Sequence, residues 1–204
     1  MGLFRSVAER KASALGIDAA RLPPGQYATK KWPVLQAGAV PRRADLATWT
    51  FRTSGLVESP LDLSWDAFRA LPSVEMQCDI HCVTRWSRFD MTFRGVSFRE
   101  IVRLTRPSPE VQHVISLGEQ GYTANLPLGV MDDDDVVLAY EADGESLALE
   151  HGYPLRLVVP KRYFWKSTKW LRGLEFSLED QPGFWERYGY HNDADPFLEQ
   201  RTVF

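Results

Sequence analysis

The 204-residue chain has no apolar run approaching the roughly 20 residues that a bilayer-spanning helix needs. It has two cysteines, Cys78 and Cys82, four positions apart. Two neighbouring thiols cannot build a disulfide framework, and no second pair completes a zinc site. Neither G-x-G-x-x-G nor G-x-x-x-x-G-K-[ST] occurs, which removes the usual nucleotide-cofactor readings. A G-x-S-x-G elbow and an H-E-x-x-H pair are also absent, so a hydrolase has no motif to stand on. The net charge is only -3, and no basic stripe interleaves with aromatics, which argues against a nucleic-acid partner. No repeat or low-complexity segment is present. Residues 1–16 lack the apolar centre of a signal peptide. Residues 1–6, MGLFRS, match the myristoylation pattern, which is short and permissive, and the match is set aside as coincidence.

What remains is an ordinary globular composition, 44% hydrophobic and 25% charged, in a chain long enough for one substantial core. Its organising stretch is VEMQCDIHCVTRWS, residues 74–87. Val74, Met76, Cys78, Ile80 and Cys82 alternate with polar residues, the pattern of a strand with one buried face, so both thiols point inward. Past Cys82 the alternation stops, placing that thiol at a strand end beside a donor-rich loop. From spacing alone two readings stay open. A free cysteine is often a small buried hydrophobe, which suits Cys78. Cys82, flanked by His81, Arg85 and Arg88, has cationic neighbours that would favour the thiolate, the form that binds metals or attacks electrophiles.

Along the chain, residues 2–20 read as a weakly amphipathic helix ended by Leu22-Pro23-Pro24-Gly25. Residues 26–41 read as an irregular loop pressed against the body. Trp49, Phe51 and Thr53 alternate as a strand, and Ser64 caps a short helix. Met91 and Phe93 suggest a strand, followed by a capping box from Ser97 to Glu100. Residues 111–117 read as a strand and 118–127 as a polar loop around Tyr122. Asp132 to Asp135 lacks the spacing and glycine of a calcium loop and reads as a solvated turn. Asp143-Gly144 marks a hairpin. The apolar residues 155–159 read as a strand covered on both faces, with Arg156 set among them needing an anionic or multi-acceptor partner. A strand over 171–177 and an aromatic tail from about 181 follow, with Asp195-Pro196 starting a terminal helix. Strands in runs with few helices imply an α+β domain of mixed sheets over residues 22–204, with 1–21 as an N-terminal extension.

DIHCVTRWS, HGYPLRLVVP from His151 to Pro160, and KSTKWLRGLEF from Lys166 to Phe176, in this order, resemble the molybdopterin-binding domain of the sulfite oxidase family. The resemblance runs from about residue 22 to 176. It implies a pterin-dithiolene cofactor carrying molybdenum (molybdenum-molybdopterin), with Cys82 as the protein's thiolate ligand. Soft thiolate suits such a metal. It further implies that Arg156, Lys166 and Lys169 hold the cofactor phosphate. His151, Ser167 and Thr168 are implied as hydrogen-bonding contacts, with Ser116 a weaker one. Lys31 and Trp32 lie in a region that contributes to the pocket in the family. Without the resemblance, the lysines are equally a solvated face and Trp32 a loop anchor.

Tyr122 corresponds to the tyrosine near the metal in sulfite oxidases, where a phenol can donate to a substrate oxygen. Its ordinary alternative is a half-buried loop tyrosine. Arg85 and Arg88 offer the positive field an anionic oxo-acid needs. Sulfite oxidases follow their cysteine with a different, arginine-paired sequence, and many relatives carry glycine where this chain has Phe164. Both departures bear on the substrate. The implied activity is oxygen-atom transfer on a small sulfur-oxo substrate, with electrons exchanged with a separate haem, flavin or iron–sulfur protein. The alternatives are sulfoxide reduction, the direction suggested by the C-V-x-x-W form, and a non-catalytic pterin carrier or interaction module. Some family members carry a twin-arginine export leader, and its absence here leads to the expectation of a cytoplasmic protein.

Overall fold

In the computed structural model, residues 7–41 and 44–203 are described. The MGLFRS pattern lies outside the described residues. The helices are α1 Val7–Ala14, α2 Trp65–Arg69, α3 Phe98–Thr105 and α4 Leu128–Met131. The strands are β1 Tyr27–Ala28, β2 Thr50–Gly55, β3 Asp62–Ser64, β4 Val74–His81, β5 Trp86–Ser97, β6 His113–Gly118, β7 Thr123–Pro127, β8 Val137–Ala142, β9 Glu145–Ser146, β10 Arg156–Val158 and β11 Leu171–Ser177.

Two mixed sheets make the α+β domain. One runs β3-β2-β11-β6-β7, with β2 parallel to β11 and the other pairs antiparallel. The other runs β1-β5-β8-β10, with β4 along the opposite side of β5 and β9 folded back on β8. The β8–β9 turn is Asp143-Gly144, both at positive φ (52° and 82°), the geometry that suits an Asp-Gly hairpin. Alternation divides β8 between two cores. Leu138 and Tyr140 join a cluster shared with Phe51, Leu174 and Phe176 of the other sheet. Val137 and Ala139 join a second cluster with Ile80, Cys82, Trp86 and Phe93. The strand next to it, β10, is therefore covered on both faces, as its unbroken apolar run predicts.

Ser97 caps α3, its hydroxyl accepting from the Glu100 amide, and Arg106 ends the helix in the left-handed region. The reciprocal half of the capping box does not form, because the Glu100 carboxylate takes Arg103 instead. Arg21 donates to Asp79 and Asp90 and ties the N-terminal extension to the β4–β5 hairpin.

Several expectations are corrected. The first helix stops at Ala14, closed by Gly16 at φ 75°, well before Pro23. The strand after Cys82 begins at Trp86 rather than near Met91, because a tight turn returns the chain at once. Half of the expected 118–127 loop is β7, its polar Asn125 buried against side-chain partners that the local pattern does not contain. Asp195-Pro196 yields a single turn: Asp195 accepts from the Phe197 and Leu198 amides, then Glu199 at φ 51° reverses the chain. By contrast, Asp132 to Asp135 form a surface turn, as their sequence reads, and their carboxylates pair with Arg99 and Lys161. Among the described residues no helix is long and apolar enough to cross a membrane.

Candidate active site

Cys82 sits where β4 ends, in a turn closed by two backbone bonds: Cys82 N donates to Trp86 O (2.9 Å) and Arg85 N to Cys82 O (3.0 Å). Arg85 takes φ 76° to make that return. Gln26, from the N-terminal segment, donates its side-chain amide to Cys82 O at 3.0 Å. The sulfur lies 3.2 Å from the Thr84 hydroxyl, and Cys82 as a residue is 8% exposed. Burial raises the thiol pKa, while Thr84, then Arg201 and Lys169, pull it down. The flanking cations expected from sequence are not the ones that act. His81 faces the opposite side of β4, hydrogen-bonded to Ser87 and edge-on to Phe89 and Phe197, and burial pushes it down to about 4, so it is neutral. Arg88 pairs with Asp143. Arg85 turns to Gly25 beside Glu199.

The sulfur opens onto a cavity of about 450 Å³ whose wall also carries Arg156, Ser167, Lys169 and Tyr122. Arg156 is fully buried on β10 and meets no carboxylate among the described residues. Its fork donates to the carbonyls of His151 (2.9 Å), Ser167 (3.0 Å) and Leu157 (3.4 Å). The rings of Phe164 and Trp32 lie 4.1 and 5.4 Å from it. Burial pushes Arg156 down to about 9. The Lys169 amine donates to Glu150 O at 2.7 Å, and burial, then repulsion from Arg156, lower it to about 7. Among the described residues neither cation forms an ion pair, Glu150 acting on Lys169 only at a distance, and a bound anion would relieve the cost of burying both. His151 is stacked on Trp32 at 3.8 Å, and its Nδ1 is buried without a partner among the described residues. The His151–Trp32 pair is where the expected contact of the 26–41 loop is made.

Other sequence candidates stand apart from the cavity. Lys31 is exposed. Lys166 is wholly buried, but its amine is 2.6 Å from Glu186 and bonds Asn125. Thr168 and Ser116 bond each other at 2.6 Å, also buried. None of the four lines the cavity, and neither does Arg85. The Ser167 hydroxyl accepts from Val159 N and so braces β10. Lys166→Met is expected to destabilise the fold by about 3–5 kcal/mol, since it strands the Glu186 carboxylate. Urea denaturation would read this loss, with cofactor content of the folded fraction unchanged.

The Tyr122 hydroxyl donates to Trp165 O at 2.5 Å, and burial raises its pKa, so it is protonated. Around it stand Phe184, Trp185 and Tyr190 from the tail, with Trp165 and Trp170. These wall residues were missed in the sequence. Their one signal was the aromatic density after residue 181, which carries no spacing rule. Phe164, noted as a departure, covers Arg156 at the cavity wall.

Residues 37–185 match the model of the oxidoreductase molybdopterin binding domain. The chain belongs to that family. It is an oxidoreductase, and its cofactor is molybdenum-molybdopterin. This domain is 46% identical over 184 residues to the oxidoreductase YuiH of Bacillus subtilis (strain 168), covering 90% of this chain and 93% of that one. It is 26% identical over 174 residues to a protein-methionine-sulfoxide reductase catalytic subunit, MsrP, of Gluconobacter oxydans (strain 621H), covering 74% of this chain and 55% of that one. Among solved structures, the sulfane dehydrogenase SoxCD from Paracoccus pantotrophus matches with a TM-score of 0.61 and 25% identity, over 68% of this chain and 40% of that chain.

The residues fit the cofactor. A protected thiol and two buried cations line one cavity, and behind its wall residue Trp32 the stacked His151, which does not itself line the cavity, keeps an unpartnered ring nitrogen; this donor set suits a soft metal, a phosphate and a hydrogen-bonding heterocycle. A pH signature follows. Lys169 is lowered in the folded protein, so between about pH 7 and its ordinary value near 10.4 the unfolded chain binds the extra proton and stability rises with pH. Cofactor-free protein is expected to show that rise in urea midpoint, and Lys169→Met to flatten it.

Proposed function

We propose that this domain transfers an oxygen atom to or from a small sulfur-oxo substrate and exchanges electrons with a separate redox protein. When bound, the cofactor supplies the two-electron redox chemistry. Cys82 would be its protein ligand, oriented by the Thr84 hydroxyl and by the turn that Gln26 holds. Arg156 and Lys169 would neutralise its phosphate, and His151 would meet its heterocycle. The observation that carries this reading is the convergence on one cavity of a thiol and two buried cations that hydrogen-bond only backbone carbonyls and form no ion pair among the described residues. An empty interaction module would not need a cavity of this size beside the thiol, and mediator-linked turnover separates an enzyme from a pterin carrier.

Tyr122 and the aromatic wall face the remaining space. Tyr122 already donates its proton to Trp165 O, so its oxygen is left as an acceptor. Arg85 and Arg88, the arginines expected to attract an oxyanion, are turned elsewhere. With Arg156 and Lys169 assigned to the cofactor, a neutral substrate with apolar substituents suits the wall better than a doubly charged one. This favours the reductive direction on a sulfoxide. Assays of metal-replete protein with artificial electron mediators test it. Sulfoxide reduction is expected to exceed sulfite oxidation at least tenfold in kcat/KM. The reverse ratio would overturn the direction, and no turnover of either would overturn the substrate class.

A further inference from the structure

The C-terminal segment after residue 189 lies beyond the matched domain region and crosses behind the Cys82 turn. It is fastened to itself by an antiparallel bridge between Tyr190 and Thr202 and by bonds from His191 N to Arg201 O and Val203 N to Gly189 O. Tyr163 N donates to Ala194 O at 2.7 Å, and Ala194 packs with Tyr163 and Trp165, which joins the segment to the cavity wall. The segment is thus a strap of fixed geometry, and Arg201 is its inward-reaching charge.

The Arg201 side chain is 13% exposed. Its Nη1 donates to Val83 O at 2.6 Å, one residue past the thiol, and its Nη2 reaches Pro24 O at 3.4 Å. The guanidinium lies 4.9 Å over the Tyr163 ring, and its Nε is buried without a hydrogen-bond partner among the described residues. The nearest carboxylate, Glu199, is 3.8 Å away and half exposed, so it compensates the charge weakly. The Arg201 charge is held at the backbone of the residue that follows the thiol. The hydrogen-bond acceptors it satisfies are two neutral carbonyls, which a neutral donor could also serve.

We infer that Arg201 is a positioning residue for Cys82: it locks the 82–86 turn through Val83 O and holds a buried positive charge one residue from the metal ligand. The inference rests on Cys82 being the metal ligand. It does not depend on which substrate is turned over. Partners of this kind that orient a ligand typically change metal affinity by about 10- to 100-fold.

The test compares wild type, Arg201→Gln and Arg201→Lys as loaded holoprotein, with Cys82→Ser alongside. The readouts are molybdenum retained per chain after dialysis and the energy of the thiolate-to-metal charge-transfer absorption. Arg201→Gln, which keeps a donor but loses the charge, is expected to retain at least tenfold less metal and to shift the band. Arg201→Lys, which keeps the charge, is expected to recover most of both. Wild-type retention and an unshifted band in Arg201→Gln would overturn the proposal. Collapse of both variants, seen by far-ultraviolet circular dichroism, would assign Arg201 to the fold alone and overturn it equally. Persistence of the band in Cys82→Ser would instead refute the ligand assignment underneath.

Discussion

Cys82→Ser is expected to abolish metal retention and to lower turnover by more than about a hundredfold, while leaving the fold intact. Serine is nearly isosteric, and its hydroxyl keeps the Thr84 partner that the sulfur has at 3.2 Å. What it removes is chemical: a soft ligand whose proton a metal displaces is replaced by a hard one that holds its proton. Since groups that merely orient a metal ligand are worth about 10- to 100-fold, loss of the ligand itself should exceed that range. Metal analysis of freshly purified protein, with mediator-linked turnover, checks it. Full metal content with full turnover in the serine variant would remove Cys82 from the chemistry.

Arg156→Met separates a cofactor clamp from a structural arginine. In the cofactor-free protein the guanidinium is buried, held by carbonyls alone and pushed down to about 9, so its charge opposes the fold. Methionine relieves that cost but takes the donor from three carbonyls, those of His151, Ser167 and, more weakly, Leu157, each worth about 1–3 kcal/mol. The two effects nearly offset, and stability without cofactor is expected to stay within about 2 kcal/mol of wild type. Cofactor retention is expected to fall a hundredfold or more, because charge-assisted bonds to a phosphate are worth about 1.5–3 kcal/mol each. A large loss of stability with normal cofactor content would reverse the assignment. Denaturation of the cofactor-free form and pterin quantification of the loaded form give the two numbers.

Much of this was legible in one dimension because the rules involved are local. Cap residues announced α2 and α3, Asp-Gly announced the β8–β9 turn, and alternation announced β4 and the inward thiols. The uninterrupted apolar run around Arg156 announced a strand covered twice over. What failed were readings whose deciding partners lie far along the chain. His81 looked polar and outward, yet Phe197 covers it. Lys166 and Lys169, three residues apart, looked equivalent. Glu186 claimed the first, and the cavity received the second.

The sequence by itself determined the chemistry on offer: one thiol at a strand end, a buried arginine and a lysine-hydroxyl run, because residue type and local period are enough to state them. Only the tertiary structure decided which of those groups face one another. Burial and charge compensation depend on neighbours more than 50 residues away, as Gln26 and Arg201 show at the Cys82 turn. The same distance effect turned an undistinguished aromatic tail into the cavity wall, since packing assigns a ring its role only when the chain has closed around it.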